Sequence, residues 1–90
     1  MDHAVVMKVK LPEADTPDAG ITMLREIVIP LAKSQSGFKS GKWMHDGLDG
    51  MGVIVFDSAD NAAAAMEAMK PPTGGPQLVS TAVYEVSGEA

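Results

Sequence analysis

The chain lacks cysteine, and it is poor in histidine and in aromatic residues. None of its 90 residues is Cys, two are His, one is Trp and one is Tyr. The absence of cysteine excludes disulfide bonds, thiolate catalysis and cysteine-ligated zinc or iron–sulfur sites, and it is compatible with a reducing compartment. Two isolated histidines with no carboxylate at ligand spacing predict no metal site.

Clusters of positive charge are also missing. The seven Lys and Arg residues are scattered along the chain, and the formal net charge is −5. Nucleic acids and anionic membranes bind concentrated basic surfaces, so neither is expected as a partner. The segment after Met1 has no basic region and no long apolar core, and no run reaches the ~20 apolar residues of a membrane span. We therefore expect a cytoplasmic protein without a signal peptide.

The length predicts one domain, residues 1–90, near the lower limit for an independent hydrophobic core. A chain of this size buries roughly 60–65% of its unfolded surface, which gives marginal stability. A partner that covers more apolar surface would add to that stability.

The stretch from Gly37 to Met69 contains the clearest structural signals. Residues 53–56 (VIVF) are consecutively apolar, between a glycine-rich segment and a polar pair, which predicts a strand covered on both faces. Ser58 is a suitable N-cap for a following helix, and Asp60 lies in its first turn, where the helix dipole favours negative charge. The apolar stripe of this helix contains Ala62, Ala65, Met66 and Met69. This helix covers only one face of the strand.

One more strand and one more helix precede this stretch. Alternation over Ala4–Leu11 predicts a strand with one apolar face. Thr16 and Pro17 begin a helix, and Pro30 predicts a kink or an early end before Ser34. The expected apolar stripe of this helix contains Ile21, Leu24, Ile27, Val28 and Leu31.

Two further strands are predicted at Phe38–His45 and Leu78–Val86, with a turn over Asp46–Met51 and a loop over Pro71–Pro76. In the strand Phe38–His45, alternation places four residues on one face: Phe38, Ser40, Lys42 and Met44. In the strand Leu78–Val86, it places three residues on one face: Val79, Thr81 and Val83. The sequence does not indicate which face of Phe38–His45 is buried.

The order strand, helix, strand, strand, helix, strand is that of the split βαβ arrangement. We therefore predict an α+β, ferredoxin-like βαββαβ fold with a four-stranded antiparallel sheet and two helices on one face. A swapped winged helix or a small barrel fits the order less well. Because both helices lie on one face, the strand at residues 52–56 requires a second cover from a partner.

Several segments also resemble a known superfamily. They are Val28–Pro30, Gly37–Trp43 (GFKSGKW), Gly52–Ser58 (GVIVFDS) with the alanine-rich helix after it, and Ala82–Val86 (AVYEV). Together they make the chain similar to the dimeric α/β-barrel superfamily, most of all to small actinobacterial proteins of unknown function related to antibiotic-biosynthesis monooxygenases. The resemblance covers nearly the whole chain, and the matching residues are mostly structural.

The resemblance implies a homodimer in which two sheets pack face to face, as a dimeric α/β barrel. Haem-degrading members have a histidine on the second helix and an asparagine on the first strand, and this chain has neither, so no cofactor is predicted. Cofactor-independent oxygenases of the superfamily use a pocket between sheet and helices. Isomerase-like members use a His–Asp pair, which His45 and Asp46 match only loosely because adjacent strand residues point to opposite faces.

Four side chains are candidates for a site, and each has a structural alternative. His45 is the candidate catalytic base, because imidazole titrates near neutral pH, although a solvated strand end explains it more simply. Trp43 could stack on a planar ligand or pack in the core. Tyr84 could donate a hydrogen bond to a ligand, and Arg25 could bind an anionic group, although an edge strand and a solvated helix face explain them as well.

Two functions follow from this reading. The first is a homodimer that binds a small apolar or aromatic molecule, with cofactor-free monooxygenation as a special case. The second is a non-catalytic dimerisation or ligand-sensing module, which the lack of convergent titratable residues favours. RNA binding by the sheet fits least, because the chain is acidic and the central strand lacks exposed aromatic pairs.

Overall fold

A computed structural model describes residues 1–11, 22–70 and 77–90. The predicted start of the first helix and the predicted loop at 71–76 lie outside these ranges. The strands are β1 (His3–Lys10), β2 (Phe38–Asp46), β3 (Asp49–Phe56) and β4 (Gln77–Glu85). The helical elements are a π-helical segment (Leu24–Val28) that continues into α1 (Ile29–Ser34), and α2 (Ala59–Ala68).

The four strands form one sheet in the order β2-β3-β1-β4. Strand β1 pairs antiparallel with β3 and with β4, and β2 pairs antiparallel with β3. Ala32 of α1 and Ala62 and Ala65 of α2 belong to the same hydrophobic cluster, so both helices pack on one face of the sheet. The predicted ferredoxin-like α+β fold is confirmed.

The core lies between the helices and the two central strands. Val5 of β1 pairs with Ile54 of β3, and these two side chains and Phe56 are at most 1% exposed. On the opposite face of β3, Val53 and Val55 are only half-buried. One chain therefore provides the first of the two covers that the sequence predicts for β3, and the described residues do not provide the second.

A two-residue loop, Gly47 and Leu48, joins β2 to β3. Gly47 has φ +60°, and a positive φ at the first loop residue is typical of the type II′ turn, whose twist matches that of paired strands. The Leu11 N–H donates to the Leu48 carbonyl over 2.7 Å, which ties the end of β1 to this loop. The turn is tighter than the predicted span of Asp46–Met51.

Helix α2 matches its prediction. The Asn61 N–H donates to the Ser58 hydroxyl over 3.2 Å, so Ser58 is the N-cap. Three residues of the predicted stripe are buried and Met66 is partly buried against the core. Their spacing of three and four residues places them on one helix face, which lies against the sheet.

Removal of this cap is expected to destabilise the protein moderately. Ser58→Ala should lower the free energy of unfolding by about 1 kcal/mol, because one amide at the start of α2 loses its acceptor. Urea unfolding measures the loss, with Ser87→Ala in the exposed C-terminal tail as the control. Equal midpoints for the two variants would show that the cap does not stabilise α2.

The predicted stripe of the first helix is wrong in part. Ile27 and Leu31 are 59% and 38% exposed, whereas Val28 packs against the core and Ala32 is fully buried. The Ile29 N–H bonds to the Leu24 carbonyl, five residues back, so this turn contains one residue more than an α-helical turn. One extra residue rotates the residues that follow by about 100°, which changes the face that reaches the sheet.

Pro30 does not end the helix. It lies in α1, which begins directly after the π-helical segment and continues beyond Pro30 to Ser34. The irregularity at this point is the π-helical segment Leu24–Val28, and the kink stays a prediction.

The predicted face of Phe38 is also wrong. The register of β2 on β3 shifts between Phe38 and Ser40, so Phe38 pairs with Phe56 on the helical side. The two rings make an edge-to-face contact with centroids 6.2 Å apart. An irregularity of this kind inserts one residue and reverses the alternation of faces. The buried side of β2 therefore carries Phe38, Gly41 and Trp43.

A second irregularity corrects the predicted face of Val79. The register of β4 on β1 shifts opposite Lys8 and Val9, so that Leu78 pairs with Val9 and packs against the core. Val79 is 63% exposed and lines a cleft on the other face of the sheet.

Candidate functional site

The face of the sheet opposite the helices, here called the open face, is largely apolar. Cross-strand partners in an antiparallel sheet share a face, so the pairing defines this surface. Its members on β1 and β3 are Ala4, Val6, Lys8, Lys10, Asp49, Met51, Val53 and Val55, so its apolar centre ends in a charged pair near the Gly47 turn. Its members on β2 and β4 are Ser40, Lys42, Met44, Ser80, Ala82 and Tyr84. Contiguous apolar surface of this kind usually marks an interaction site.

A shallow cleft of about 530 Å³ lies at the end of the open face nearest the Gly47 turn. We call it the hairpin cleft. Its apolar lining includes Met44, Met51 and Val79, and its polar lining consists of Lys8, His45, Asp46 and Asp49. The β4 irregularity brings Val79 to the cleft wall, and such irregularities increase the local twist of a sheet. The cleft therefore combines an apolar floor with charges of both signs.

A second, smaller cleft of about 280 Å³ lies along the outer edge of the open face. Its lining consists of Ser40, Gly41, Lys42, Met44, Val53 and Val55. Met44 lines both clefts, so they form adjoining depressions in one surface. A methionine shared between depressions can adapt its shape to different contacts, because its side chain is unbranched and polarisable.

Trp43 lies on the opposite, helical side of the sheet. Its indole lies against two glycines: a Cβ added to Gly41 would lie 2.7 Å from the Trp43 ring, and one added to Gly52 would lie 3.0 Å from it. Both glycines therefore allow the ring to lie flat on the sheet. Trp43 is partly buried against the core, as its structural alternative predicts.

The other three candidates are all exposed, and they lie in different places. His45 borders the hairpin cleft at the end of β2, but it pairs with Gly50, so its side chain belongs to the helical side of the sheet. Tyr84 lies on the open face of the edge strand β4, beside Ala4 and away from the hairpin end. Arg25 is in the π-helical segment, on the side of the sheet that carries the helices. The structure therefore brings none of the four predicted residues together in one pocket.

Lys8 is the side chain of this surface that sequence reasoning did not select. It projects from the interior strand β1 between Met51 and Ser80, in the hairpin cleft. Among residues 1–11, 22–70 and 77–90 it forms no ion pair, whereas Lys10 Nζ lies 3.2 Å from Asp49 Oδ1. The position of Lys8 in an otherwise apolar strand could have marked it as a candidate site residue. Its neighbours on β3 and β4, however, follow only from the sheet pairing.

One exposed ion pair raises the pKa of a lysine side chain. Lys39 Nζ lies 2.9 Å from Asp2 Oδ2, and the hydrogen bond and negative charge of Asp2 raise the pKa of Lys39 above its ordinary value. A raised lysine pKa stabilises the fold at neutral pH, and this contribution disappears only as the pH rises through the raised value. Because the pair is exposed, its contribution is small.

The residues present do not fit a haem group or a metal ion. Helix α2 carries Ala, Asp, Asn, Met and Glu but no histidine, and its buried positions are Ala62 and Ala65. The two histidines, His3 and His45, lie on β1 and β2 and are not buried. Within the described part of the chain, no three His, Asp or Glu residues cluster as a metal site would require.

Comparison with solved structures shows the same fold in three proteins. A haem-degrading protein of Mycobacterium tuberculosis has a TM-score of 0.65 and 15% identity, over 100% of this chain and 99% of that one. SnoaB, a cofactor-independent oxygenase of Streptomyces nogalater, has a TM-score of 0.68 and 8% identity, over 98% and 95%. A Chloroflexus aurantiacus protein assigned to the antibiotic biosynthesis monooxygenases has a TM-score of 0.62 and 18% identity, over 100% and 98%.

These likenesses confirm the predicted resemblance to antibiotic-biosynthesis-monooxygenase-like proteins at the level of the fold. Their identities of 8–18% are too low to transfer an activity. No protein-family model matches the chain, and no characterised protein sequence matches it. In the described segments, no helix is long and apolar enough to cross a membrane.

Proposed function

We propose that the protein is a homodimer, formed through the open face, that binds a small apolar or aromatic molecule at that face. The observation that carries this proposal is the half-buried row of Val6, Val53 and Val55 on the two central strands. Interior strands of this kind are normally covered on both faces when both faces are apolar. A second copy is the simplest cover, because isologous dimers are the commonest oligomers and a chain this short gains stability from added burial.

The two clefts support the ligand part of the proposal. The hairpin cleft, at about 530 Å³, is of the size that small-molecule sites occupy, the second cleft, at about 280 Å³, is slightly smaller, and the lining of both is mainly apolar. Both clefts open onto the face that the partner would cover. A ligand bound there would be removed from water by dimer formation.

A second candidate is a cofactor-free monooxygenase, with His45 as the general base. It is favoured by the shared fold with SnoaB and by the exposed histidine His45, which lies at the rim of the hairpin cleft. In this chemistry the base removes a proton from an anthrone-like substrate, and the resulting carbanion reduces O₂. One oxygen atom becomes the new carbonyl and the other leaves as water, so the substrate supplies the electrons and no cofactor is needed.

Oxygen uptake separates these candidates. If the monooxygenase candidate holds, wild-type protein accelerates O₂ consumption with anthrone, and His45→Ala lowers the rate by roughly 10²–10⁴-fold through loss of the base. His3→Ala is the matched control, because it removes the only other histidine and should leave the rate unchanged. Equal rates for wild type and His45→Ala would exclude His45 as the base.

No uptake by the wild type, together with saturable binding of anthrone, would favour non-catalytic binding. The scattered positions of Trp43, Tyr84 and Arg25 support this outcome, because catalysis needs groups that converge on one reacting atom. Ligand binding by these three residues stays a prediction. Trp43→Phe, Tyr84→Phe and Arg25→Gln, titrated with the same anthrone, would test each residue separately.

A further inference from the structure

We infer that the hairpin cleft binds an anionic aromatic ligand, whose negative group is held by Lys8 and whose apolar body is enclosed by the partner's open face. This inference rests on the proposed dimer and adds to it the position of the site, its cation and the chemical class of the ligand. It also places the ligand between two sheets rather than between sheet and helices.

The position of Lys8 is the first argument. Its ammonium rises from an interior strand, next to Met51 and within a largely apolar face. When a second copy covers that face, the ammonium loses contact with water, and an uncompensated buried charge is strongly unfavourable. A dimer built on this surface therefore needs a negative group close to Lys8.

Within residues 1–11, 22–70 and 77–90, no carboxylate forms an ion pair with Lys8. Asp49 is paired with Lys10 at 3.2 Å. Asp46 pairs with Asp49 in the β2–β3 register and lies on the edge strand, two strands away from β1. Two strand spacings separate their backbones by roughly 10 Å, and the described residues show no ion pair between Lys8 and Asp46. Lys8 is therefore available to an anion that enters the cleft.

The shape of the cleft is the second argument. In one chain it is a shallow depression, floored by Met44 and Met51 and bounded by Val79. A shallow depression buries too little of a ligand to hold it, since small-molecule sites usually enclose most of the ligand surface. Two facing open faces would close this depression into a chamber, so the site is incomplete without the partner.

These features define the ligand by its chemistry. A flat or branched apolar body fits the methionine floor, because methionine side chains adapt to different shapes. A carboxylate, sulfonate or phenolate accepts a charge-assisted hydrogen bond from Lys8. At the far side of the cleft, Asp46 would accept a hydrogen bond from a ligand hydroxyl and would repel a second negative group.

Two fluorescent probes with the same aromatic skeleton test the inference. The first, 8-anilinonaphthalene-1-sulfonate, carries one sulfonate, and N-phenyl-1-naphthylamine carries none. We expect the wild type to bind the sulfonate probe more tightly than the neutral one. Lys8→Met should weaken binding of the sulfonate probe about tenfold or more and leave the neutral probe unchanged, since a hydrogen bond to a charged group is lost. Lys33→Met, on exposed α1, is the matched charge control.

The dimer constant of Lys8→Met, measured by sedimentation equilibrium, provides the second readout. We expect a constant equal to or tighter than that of the wild type, because methionine removes a buried charge and keeps apolar contact. A dimer weakened more than tenfold would show that Lys8 pairs with a carboxylate of the second copy, which overturns the inference and leaves the dimer standing. Equal loss of sulfonate-probe binding in Lys8→Met and Lys33→Met would also overturn it. A monomeric wild type would instead refute the proposed function itself.

Discussion

Val53→Glu is expected to convert the protein into monomers that keep the ferredoxin-like fold. Val53 lies on the interior strand β3 and faces away from the helices, where it is half-buried within one chain. In the dimer this substitution buries one unpaired carboxylate from each protomer, at a cost of several kcal/mol per ion. We therefore expect the dimer dissociation constant to rise about 100-fold or more, measured by sedimentation equilibrium.

The matched control is Ile27→Glu, which adds the same charge to an exposed apolar side chain of the first helical segment. Ile27 is 59% exposed and lies outside the open face. We expect this variant to dimerise like the wild type. Far-ultraviolet circular dichroism should show the wild-type spectrum for both variants. Equal weakening of the dimer by the two substitutions, or none by either, would contradict an interface at the open face.

Phe56→Ala is expected to destabilise the fold more than any of the other substitutions. Phe56 is 0% exposed, it is among the largest fully buried side chains, and its ring contacts Phe38. Truncation of a buried phenylalanine to alanine costs about 3–5 kcal/mol, because transfer energy is lost and a cavity remains. The whole free energy of unfolding of a domain is typically only about 5–15 kcal/mol. Urea unfolding at one fixed protein concentration measures the loss, since dimer stability depends on concentration.

Phe38→Ala is the matched control for this experiment. The chemistry is the same, but Phe38 is half-buried on the edge strand β2. We expect a smaller loss than at Phe56, because less of the ring leaves an apolar environment and water can fill the space. If Phe38→Ala cost as much as Phe56→Ala, the core would not be centred on the helical side of β3.

The fold could be predicted from the sequence because its signals are local. Ser58 and the alanine-rich stripe define α2, and the apolar run before Asp57 defines β3. The order of elements then restricts the topology to few alternatives. The observed strand order and the helices on a single face agree with that reading.

The side-chain faces were predicted less well, and all three errors have one physical cause. Phe38, Val79 and Ile27 each lie beside a place where one residue is inserted into a regular element. Such an insertion reverses the face in a strand, and in a helix it rotates the residues that follow by about 100°. Nothing local in the sequence marks it, because it depends on how the neighbouring strand or helix packs.

The candidate site depends even more on pairing between distant segments. Lys8 and Met44 line one cleft only because β3 lies between their strands, so that Met51 pairs with Lys8 on β1 and with Met44 on β2. Trp43 and Tyr84, which the sequence suggested as partners, lie on opposite faces and on opposite edge strands. Residue type alone therefore suggests plausible side chains, but the sheet pairing decides which of them are neighbours on one surface.

The three similar structures show why the fold does not decide the reaction. One is a haem-degrading protein and another is a cofactor-independent oxygenase. Their identities to this chain are 15% and 8%, so neither activity transfers to it. Its function must therefore be argued from the open face and the hairpin cleft.

The most direct test of the proposed dimer is the molar mass of the wild-type protein in solution, by light scattering over a range of concentrations. We expect twice the 9.4 kDa mass of one chain, maintained on dilution to low micromolar concentration. A folded protein of single-chain mass across that range would contradict the account, because the open face would then be stable in water without a partner.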